Sequence, residues 1–192
     1  MKKIMFNDKY GLTDAVIHGR KTMTRRVIKD KELIYSLQES EHFGGCFSED
    51  NIRGYKVGDV VAVAQSYKDA GFSPNDSIDY IDYGGNMYGP LVAGDVPGWN
   101  NKMFVKAELM PHSIRITDIK IERLHDISYE DCMKEGIFDT MSNRIYHYRY
   151  PNSPRNYINP REAFASLIDK VSGRGTWDSN PWVFAYSFEL ID

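Results

Sequence analysis

The stretch HSIRITDIKIER, residues 112–123, alternates apolar and polar side chains. Its apolar positions are Ile114, Ile116, Ile119 and Ile121. Side chains of a β-strand point alternately to its two faces, so this spacing predicts a strand with one buried side. The isoleucines change from even to odd positions at Thr117 and Asp118, which predicts a β-bulge there. The stretch is therefore interpreted as a single long strand.

Two helices are predicted after this strand from their capping residues. The Ser128 hydroxyl can accept a hydrogen bond from the amide of Asp131, as an N-cap does, and Gly136 would end that short helix. Asn159 as N-cap and Pro160 at the first helical position begin the second helix. Its predicted buried face consists of Phe164, Leu167, Ile168 and Val171.

Three further elements complete the predicted order. Residues 9–18 have the apolar spacing of a helix, and Gly19 is placed to end it in the left-handed conformation. Residues 60–64 predict a buried, β-branched strand after a Gly-Asp turn. A last strand is predicted near the carboxyl end, with one face on a core. That face would carry Trp182, Phe184, Tyr186, Phe188 and Leu190.

The resulting order of helix, strands, helix, helix and strand has no regular βαβ alternation. We therefore predict an α+β fold, a small mixed β-barrel flanked by helices, rather than a doubly wound sheet. A single domain over residues 1–192 is expected, with large loop insertions near residues 42–54, 65–100 and 139–158.

Composition narrows the class of protein. The chain has 192 residues, of which 42% are hydrophobic and 27% charged, enough for one well-buried core. Cys46 and Cys132 lie far apart, and the amino-terminal apolar run is too short for a signal peptide, so we expect a reduced, cytoplasmic protein without a membrane partner. Because the formal net charge is -3, any site for a polyanion must be local.

Several familiar chemistries are excluded by their missing motifs. The sequence has no GxSxG, no GxxxxGK[ST] and no HExxH. His42 and Cys46 are four residues apart, but no second close pair completes a zinc site. We therefore expect neither a metal nor another cofactor.

The stretch GRKTMTRR, residues 19–26, concentrates positive charge at the predicted helix exit. Its cations are Arg20, Lys21, Arg25 and Arg26. Arginine can donate in fork geometry to a phosphate or to the carbonyl of a base edge, which favours a nucleotide as ligand. The alternative is that these are solvated charges at the end of a helix.

Several segments together resemble the ASCH domain of the PUA-like superfamily. They are GxKTxTxR at residues 19–26, KxGDV at residues 56–60, the long strand, the helix that ends in Glu135, and the aromatic last strand. Residues 122–128 and 180–184 look like segments of the larger phage- and bacteria-associated members. The resemblance implies a β-barrel with a cleft that recognises RNA or a nucleotide.

A subset of that family, the bacterial N4-acetylcytidine amidohydrolases, uses a Lys, a Thr and a Glu, which match Lys21, Thr24 and Glu135. Amide hydrolysis needs a nucleophile, a base and positive charge near the oxyanion, roles that these three side chains can supply. Glu135 would end a helix, where the dipole disfavours a carboxylate, so a nearby Lys21 would offset that cost. The alternative is an ordinary surface ion pair, with Thr24 packed at a turn.

A second candidate surface lies in residues 140–161, which contain no acidic residue. Its candidate nucleic-acid contacts are Arg144, Tyr146, Tyr148, Arg149 and Arg155. Interleaved aromatic and arginine side chains can stack bases and neutralise phosphates. The tyrosine alternation also fits a solvent-facing hairpin strand.

Three functions remain open from the sequence. The first is a module that binds RNA or a modified nucleoside or nucleotide in a basic cleft. The second is an amidohydrolase that acts on N4-acetylcytidine-like nucleosides through Lys21, Thr24 and Glu135. The third is a protein-interaction scaffold without catalysis. No oligomeric state is predicted.

Overall fold

A computed structural model describes residues 1–43, 54–82, 88–142 and 145–191 of the chain. Its strands are β1 (Lys2–Ile4), β2 (Met23–Val27), β3 (Val60–Val63), β4 (Ser77–Asp82), β5 (Tyr88–Val92), β6 (Ser113–Arg123), β7 (Phe138–Ser142), β8 (Ile145–Arg149) and β9 (Trp182–Ile191). Its α-helices are α1 (Leu12–Ile17), α2 (Lys31–Phe43), α3 (Tyr129–Lys134) and α4 (Pro160–Ser172). Short 3₁₀ turns lie between several of these elements.

The main sheet has five strands in the order β1-β3-β6-β9-β2. Strand β1 is parallel to β3, whereas β3 pairs with β6 and β2 with β9 in antiparallel fashion. Strands β4 and β5 form one separate two-stranded sheet, and β7 and β8 form another. Within the described residues β1 and β2 are the two edges of the main sheet and do not pair with each other.

The predicted β-barrel is therefore wrong, and the fold is mixed α+β with an open sheet. Closing a barrel requires its first and last strands to be hydrogen-bonded to each other. Alternation of apolar residues reports which side of a strand is buried, but it carries no information about edge pairing. The order of elements was thus compatible with both an open and a closed sheet.

Most of the predicted local elements are confirmed. The Ser128 hydroxyl accepts from the amide of Asp131, and Asn159 accepts from the amide of Arg161, so both caps form as expected. The first helix starts later than predicted, at Leu12, because Gly11 at φ 63° separates it from a preceding 3₁₀ turn. Helix α2 has no counterpart among the sequence predictions.

The chain divides into two compact units, the first of which consists of residues 1–6, 60–115 and 190–192. A cluster of buried side chains lies in this unit: Ala62, Ala64, Tyr67, Ile78, Ala93, Val105, Ala107 and Met110. Three of them come from residues 65–100, which the sequence suggested to be a surface excursion. Those residues therefore supply part of a core as well as loops.

The second unit consists of residues 7–59 and 116–189 and holds all the candidate site residues that the structure describes. Helix α4 buries Phe164, Leu167 and Ile168 of its predicted apolar face, whereas the fourth member, Val171, is only half-buried. Strand β9 is buried on both faces in its first half, since Val183 and Ala185 are at least as inaccessible as Phe184 and Tyr186, with which they alternate. None of the described helices has the length and apolarity needed to cross a bilayer.

Candidate functional site

Helix α1 ends in a motif that directs GRKTMTRR into the protein. Gly19, at φ 68°, donates its amide to the carbonyl of Val16 at 2.9 Å. The amide of Arg20 donates to the carbonyl of Ala15 at 2.8 Å. These two bonds are those of a Schellman motif, which glycine favours because it tolerates positive φ. The turn that follows brings Lys21 into the interior ahead of β2.

Lys21 and Glu135 form a buried ion pair at the end of α3. Lys21 Nζ donates to Glu135 Oε2 at 2.5 Å and to the backbone oxygen of Glu135 at 2.9 Å. The two side chains are 2% and 4% exposed. An ammonium at this position donates to a terminal helix carbonyl and is stabilised by the negative end of the helix dipole. The surface ion pair considered as an alternative is therefore not what forms, because this pair is buried.

Gly136 follows Glu135 and packs beside Lys21. It has φ 96°, and a Cβ atom there would lie 3.4 Å from Lys21 Cβ, which is ordinary van der Waals contact. A side chain at position 136 would therefore be disfavoured by its backbone conformation. The predicted helix stop thus takes the left-handed conformation that glycine tolerates.

Arg25 lies in β2 and connects the same pair to two more carboxylates. Its Nε and Nη2 donate to Glu122 Oε1 at 2.9 and 2.6 Å, and Nη2 also donates to Asp131 Oδ2 at 2.9 Å. Its Nη1 donates to Met23 Sδ at 3.2 Å and to Glu135 Oε1 at 3.3 Å. A guanidinium has five N–H donors, so Arg25 has no donor left for a ligand.

The cluster of Lys21, Arg25, Glu122, Asp131 and Glu135, called here the ion cluster, carries two cations and three carboxylates. Burial lowers the pKa of the Lys21 ammonium, and the negative charge of Glu135 opposes this effect only in part. Burial would also lower the pKa of the Arg25 guanidinium, but the carboxylates outweigh it and raise that pKa. Of the two cations, Lys21 is thus the one whose protonation is made less favourable.

Thr24 does not share a face of β2 with Arg25. Successive residues of a strand point to opposite faces, so Met23 and Arg25 face the ion cluster and Thr24 faces the other side. Thr24 is paired with Tyr186 of β9, whose ring meets that of Tyr55 edge-on at 5.4 Å. The structure therefore brings together Lys21 and Glu135, while Thr24 lies beside a buried tyrosine.

The arginines predicted to bind a ligand have different environments. Arg20 is exposed and forms an ion pair with Asp14 of α1. Arg25 is buried in the ion cluster, and Arg26 is half-buried on the Thr24 face of β2. The sequence suggested one group of equivalent cations, but the alternation of β2 separates Arg25 from Arg26.

The second candidate surface contains the hairpin of β7 and β8, as one of its two interpretations predicted. Tyr146 and Tyr148 share one face of β8, and Arg149 lies on the other, where its Nη2 donates to the Ser153 oxygen at 2.7 Å. Arg155 covers the ring of Tyr157 at 4.8 Å. Arg144 lies outside the described residues. The hairpin thus separates tyrosines and arginines that alternate in the sequence.

Glu122 and Asp131 were not predicted as site residues. Asp131 stands in the first turn of α3, where a carboxylate is explained by the helix dipole alone. Glu122 is near the end of β6, at an even-numbered position on the face opposite to Ile119 and Ile121, so the alternation of this strand gave no signal that its carboxylate is largely buried. Neither residue could be assigned to Arg25 without knowing how β2 and α3 pack.

Metal and thiol chemistry find no support in the described part of the chain. No group of three or more His, Cys, Asp and Glu side chains there is arranged to hold a metal. Cys46 and the side chain of His42, considered as zinc ligands, are outside the described residues. Cys132 is buried, and burial raises the pKa of its thiol to about 12, which makes it a poor nucleophile.

No family model matches this chain, and no curated protein matches it. Among solved structures, it is similar to a protein of Enterococcus faecalis V583 described by the family model DUF984. The similarity has a TM-score of 0.44 at 13% sequence identity and covers 100% of this chain and 81% of that one.

Proposed function

We propose that this chain is an ASCH-type protein that binds a modified pyrimidine nucleoside, free or within RNA, next to the ion cluster. The observation that carries the proposal is the contact of Lys21 Nζ with Glu135 Oε2 at 2.5 Å. Lys21 and Glu135, which match motif positions of the family, are 114 residues apart in the chain and are direct hydrogen-bond partners. A chance pairing of two charges is expected at the surface, whereas both of these side chains are buried.

The chemistry of the pair suits a nucleobase edge. A pyrimidine edge carries carbonyl acceptors and, in cytosine, an amino donor. An ammonium is a donor only and a carboxylate an acceptor only, so Lys21 and Glu135 together can satisfy both kinds of group. Arg25 donates to one oxygen of Glu135 and to the carboxylates of Glu122 and Asp131, and it thereby holds Glu135 in position.

Nucleoside binding should depend on both members of the pair. Lys21→Met and Glu135→Gln are each expected to weaken binding of N4-acetylcytidine about tenfold or more, since each removes a charge-assisted contact. Titration calorimetry with cytidine, N4-acetylcytidine and uridine measures this. Because breaking a buried pair destabilises a protein, a Lys21→Met/Glu135→Met variant serves as second measurement: it removes both charges and should recover stability without recovering binding.

Lys120→Gln, a change of an exposed cation in β6, is the control for lost charge. It should bind the nucleosides as the wild-type protein does. Unaltered nucleoside affinity in folded Lys21→Met and Glu135→Gln proteins would contradict the proposed site.

Hydrolysis of an N4-acylated cytidine is the second candidate function, and the lowered pKa of Lys21 favours it. A buried lysine whose neutral form is more accessible can act as a general base. Thr24 Oγ1 would attack the acyl carbon, and its proton would pass to Lys21 or Glu135 and from there to N4 as the C–N bond breaks and cytidine leaves. Water would then hydrolyse the acyl-threonine ester, which releases the carboxylic acid and restores the hydroxyl. This function ranks second because Thr24 lies on the opposite face of β2 from Arg25, which contacts Glu135.

Thr24→Ala separates the two functions. If the site is catalytic, this change should abolish turnover of N4-acetylcytidine and leave its affinity within a few-fold, because the hydroxyl acts mainly in the transition state. Turnover by the wild-type protein should rise with pH, with an inflection below the ordinary lysine value of 10.5, since the neutral amine is the active form. Thr24→Ser is the matched control and should retain turnover. Equal turnover in Thr24→Ala and wild-type protein would exclude the hydrolytic role of Thr24.

A further inference from the structure

An open groove of about 640 Å³ runs along helix α4, away from the ion cluster residues, and is lined within a single compact unit. Its cationic lining residues are Arg155, Lys170 and Arg174, and its acidic ones are Glu162 and Asp169. Tyr157 and Trp177 contribute aromatic surface. Since the whole chain carries a net charge of -3, a groove with three cations is a local exception.

Two of the three cations of the groove, Arg155 and Lys170, contact neutral aromatic partners. Arg155 stacks on the ring of Tyr157 at 4.8 Å. Lys170 Nζ donates to the Tyr150 hydroxyl and lies 4.9 Å from the centre of that ring. Arg174 is exposed and forms no ion pair with the described residues. Their positive charges are therefore not cancelled by direct carboxylate partners.

Two acidic residues of the groove offset part of this positive charge. Asp169 Oδ1 accepts from the amide of Trp177 at 2.8 Å, and its Oδ2 accepts from the amide of Gly175 at 3.2 Å. This carboxylate thus closes the turn after α4. Glu162 is exposed, and after the hydrogen bond to Tyr157 its charge is one of the causes that raise the pKa of Arg155. Three cations against two carboxylates leave the groove with a formal charge of +1, which favours an anionic ligand.

The aromatic rings of the groove are already covered by protein groups. The ring of Trp177 contacts His125 at 4.5 Å and Phe164 edge-on at 6.2 Å, and the ring of Tyr157 is covered by Arg155. A base that stacks needs an open aromatic face. These rings therefore form an apolar floor, and the groups available to a ligand are the cationic ends of the arginines and lysine.

We propose that the α4 groove binds consecutive phosphates of a single-stranded RNA backbone without reading its sequence. Arginine forks donate to phosphate oxygens in bidentate fashion, and a groove open to solvent gives a phosphate backbone access to them. The inference rests on the proposed function in one respect, namely that RNA is the source of the phosphates. Arg155 and Arg174 are the principal contacts, and Lys170 supplies a third charge.

Fluorescence anisotropy with labelled 12-nucleotide oligouridylate and oligoadenylate, at several salt concentrations, tests this groove. The wild-type protein should bind both RNAs alike. Arg155→Gln/Arg174→Gln should weaken both about tenfold or more and make the salt slope shallower by roughly 0.7 for each lost phosphate contact. Lys68→Gln/Lys120→Gln removes the same charge from exposed positions outside the groove and should change neither quantity.

Three results would overturn the inference. They are unchanged affinity and salt slope in the groove variant, the absence of RNA binding by the wild-type protein, and displacement of the RNA by uridine monophosphate at equal concentration, which would assign the groove to a free nucleotide. None of these results concerns unphosphorylated nucleosides at Lys21. Failure of the groove is thus distinguishable from failure of the proposed function.

Discussion

Replacing Arg25 by methionine is expected to lower the free energy of unfolding by about 3 to 5 kcal/mol, the range for removing one partner of a buried charge network. Arg25 is fully buried and contacts carboxylates of Glu122, Asp131 and Glu135 at 2.6 to 3.3 Å. Methionine fills part of the space but donates no hydrogen bond, so it leaves three largely buried carboxylates with fewer partners. Urea denaturation followed by circular dichroism measures the loss.

The origin of this loss can be tested by neutralising the carboxylates. In the wild-type protein Glu122→Gln removes a partner of Arg25 and should destabilise, whereas in the Arg25→Met protein the same change should restore stability. A double-mutant cycle on Arg25 and Glu122 measures this reversal of sign as a coupling energy between the two residues. Arg20→Met is the control, because its ion pair with Asp14 is 49% and 57% exposed and contributes about 0 to 1 kcal/mol. Equal destabilisation by Arg25→Met and Arg20→Met would show that the ion cluster contributes little to stability.

Phe164→Ala is expected to destabilise the protein by about 3 to 5 kcal/mol, the range for truncating a buried aromatic residue. Phe164 is 1% exposed on the buried face of α4. Its ring meets Trp177 edge-on at 6.2 Å, and the Arg25 guanidinium carbon lies 6.0 Å from its centre. The truncation would therefore leave a cavity beside both the core and the ion cluster.

Thermal and urea unfolding measure the effect of Phe164→Ala. Tyr146→Ala is the matched control, since Tyr146 is 58% exposed on the β7–β8 hairpin and its truncation should change stability by at most about 0.5 kcal/mol. A wild-type melting temperature for Phe164→Ala would place α4 outside the core. Because Phe164 and Arg25 are neighbours, their effects should not be additive.

The local elements of this fold could be read from short stretches of sequence. The caps of α3 and α4 depend on side chains three and two residues from the amides that they satisfy, so Ser128 and Asn159 identify them directly. The same holds for the end of α1, where Gly19 takes the left-handed conformation. The strands β6 and β9 follow from the period of their apolar residues.

Sheet closure could not be predicted in this way. Strands β1 and β2 are at opposite edges of the sheet, and whether they pair depends on how the three strands between them are arranged. The apolar period of each strand is the same in an open sheet and in a barrel, so it does not report this pairing. The buried side chains of residues 65–100 were missed for a related reason. Tyr67, Ile78 and Ala93 have no period among themselves, because they come from different turns and strands.

The candidate site likewise combines features that the sequence determined with features that only packing determined. The sequence by itself determined the caps, the principal strands and helices, and the positions of Lys21, Thr24 and Glu135 within a motif, because these depend on neighbouring residues or on their order. Tertiary structure alone decided that Lys21 meets Glu135 in a buried pair, that Arg25 is held by three carboxylates, and that Thr24 lies on the opposite face of β2 from Arg25. The physical reason is that the role of a charge depends on its burial and on its partners, and packing brings those partners from distant parts of the chain.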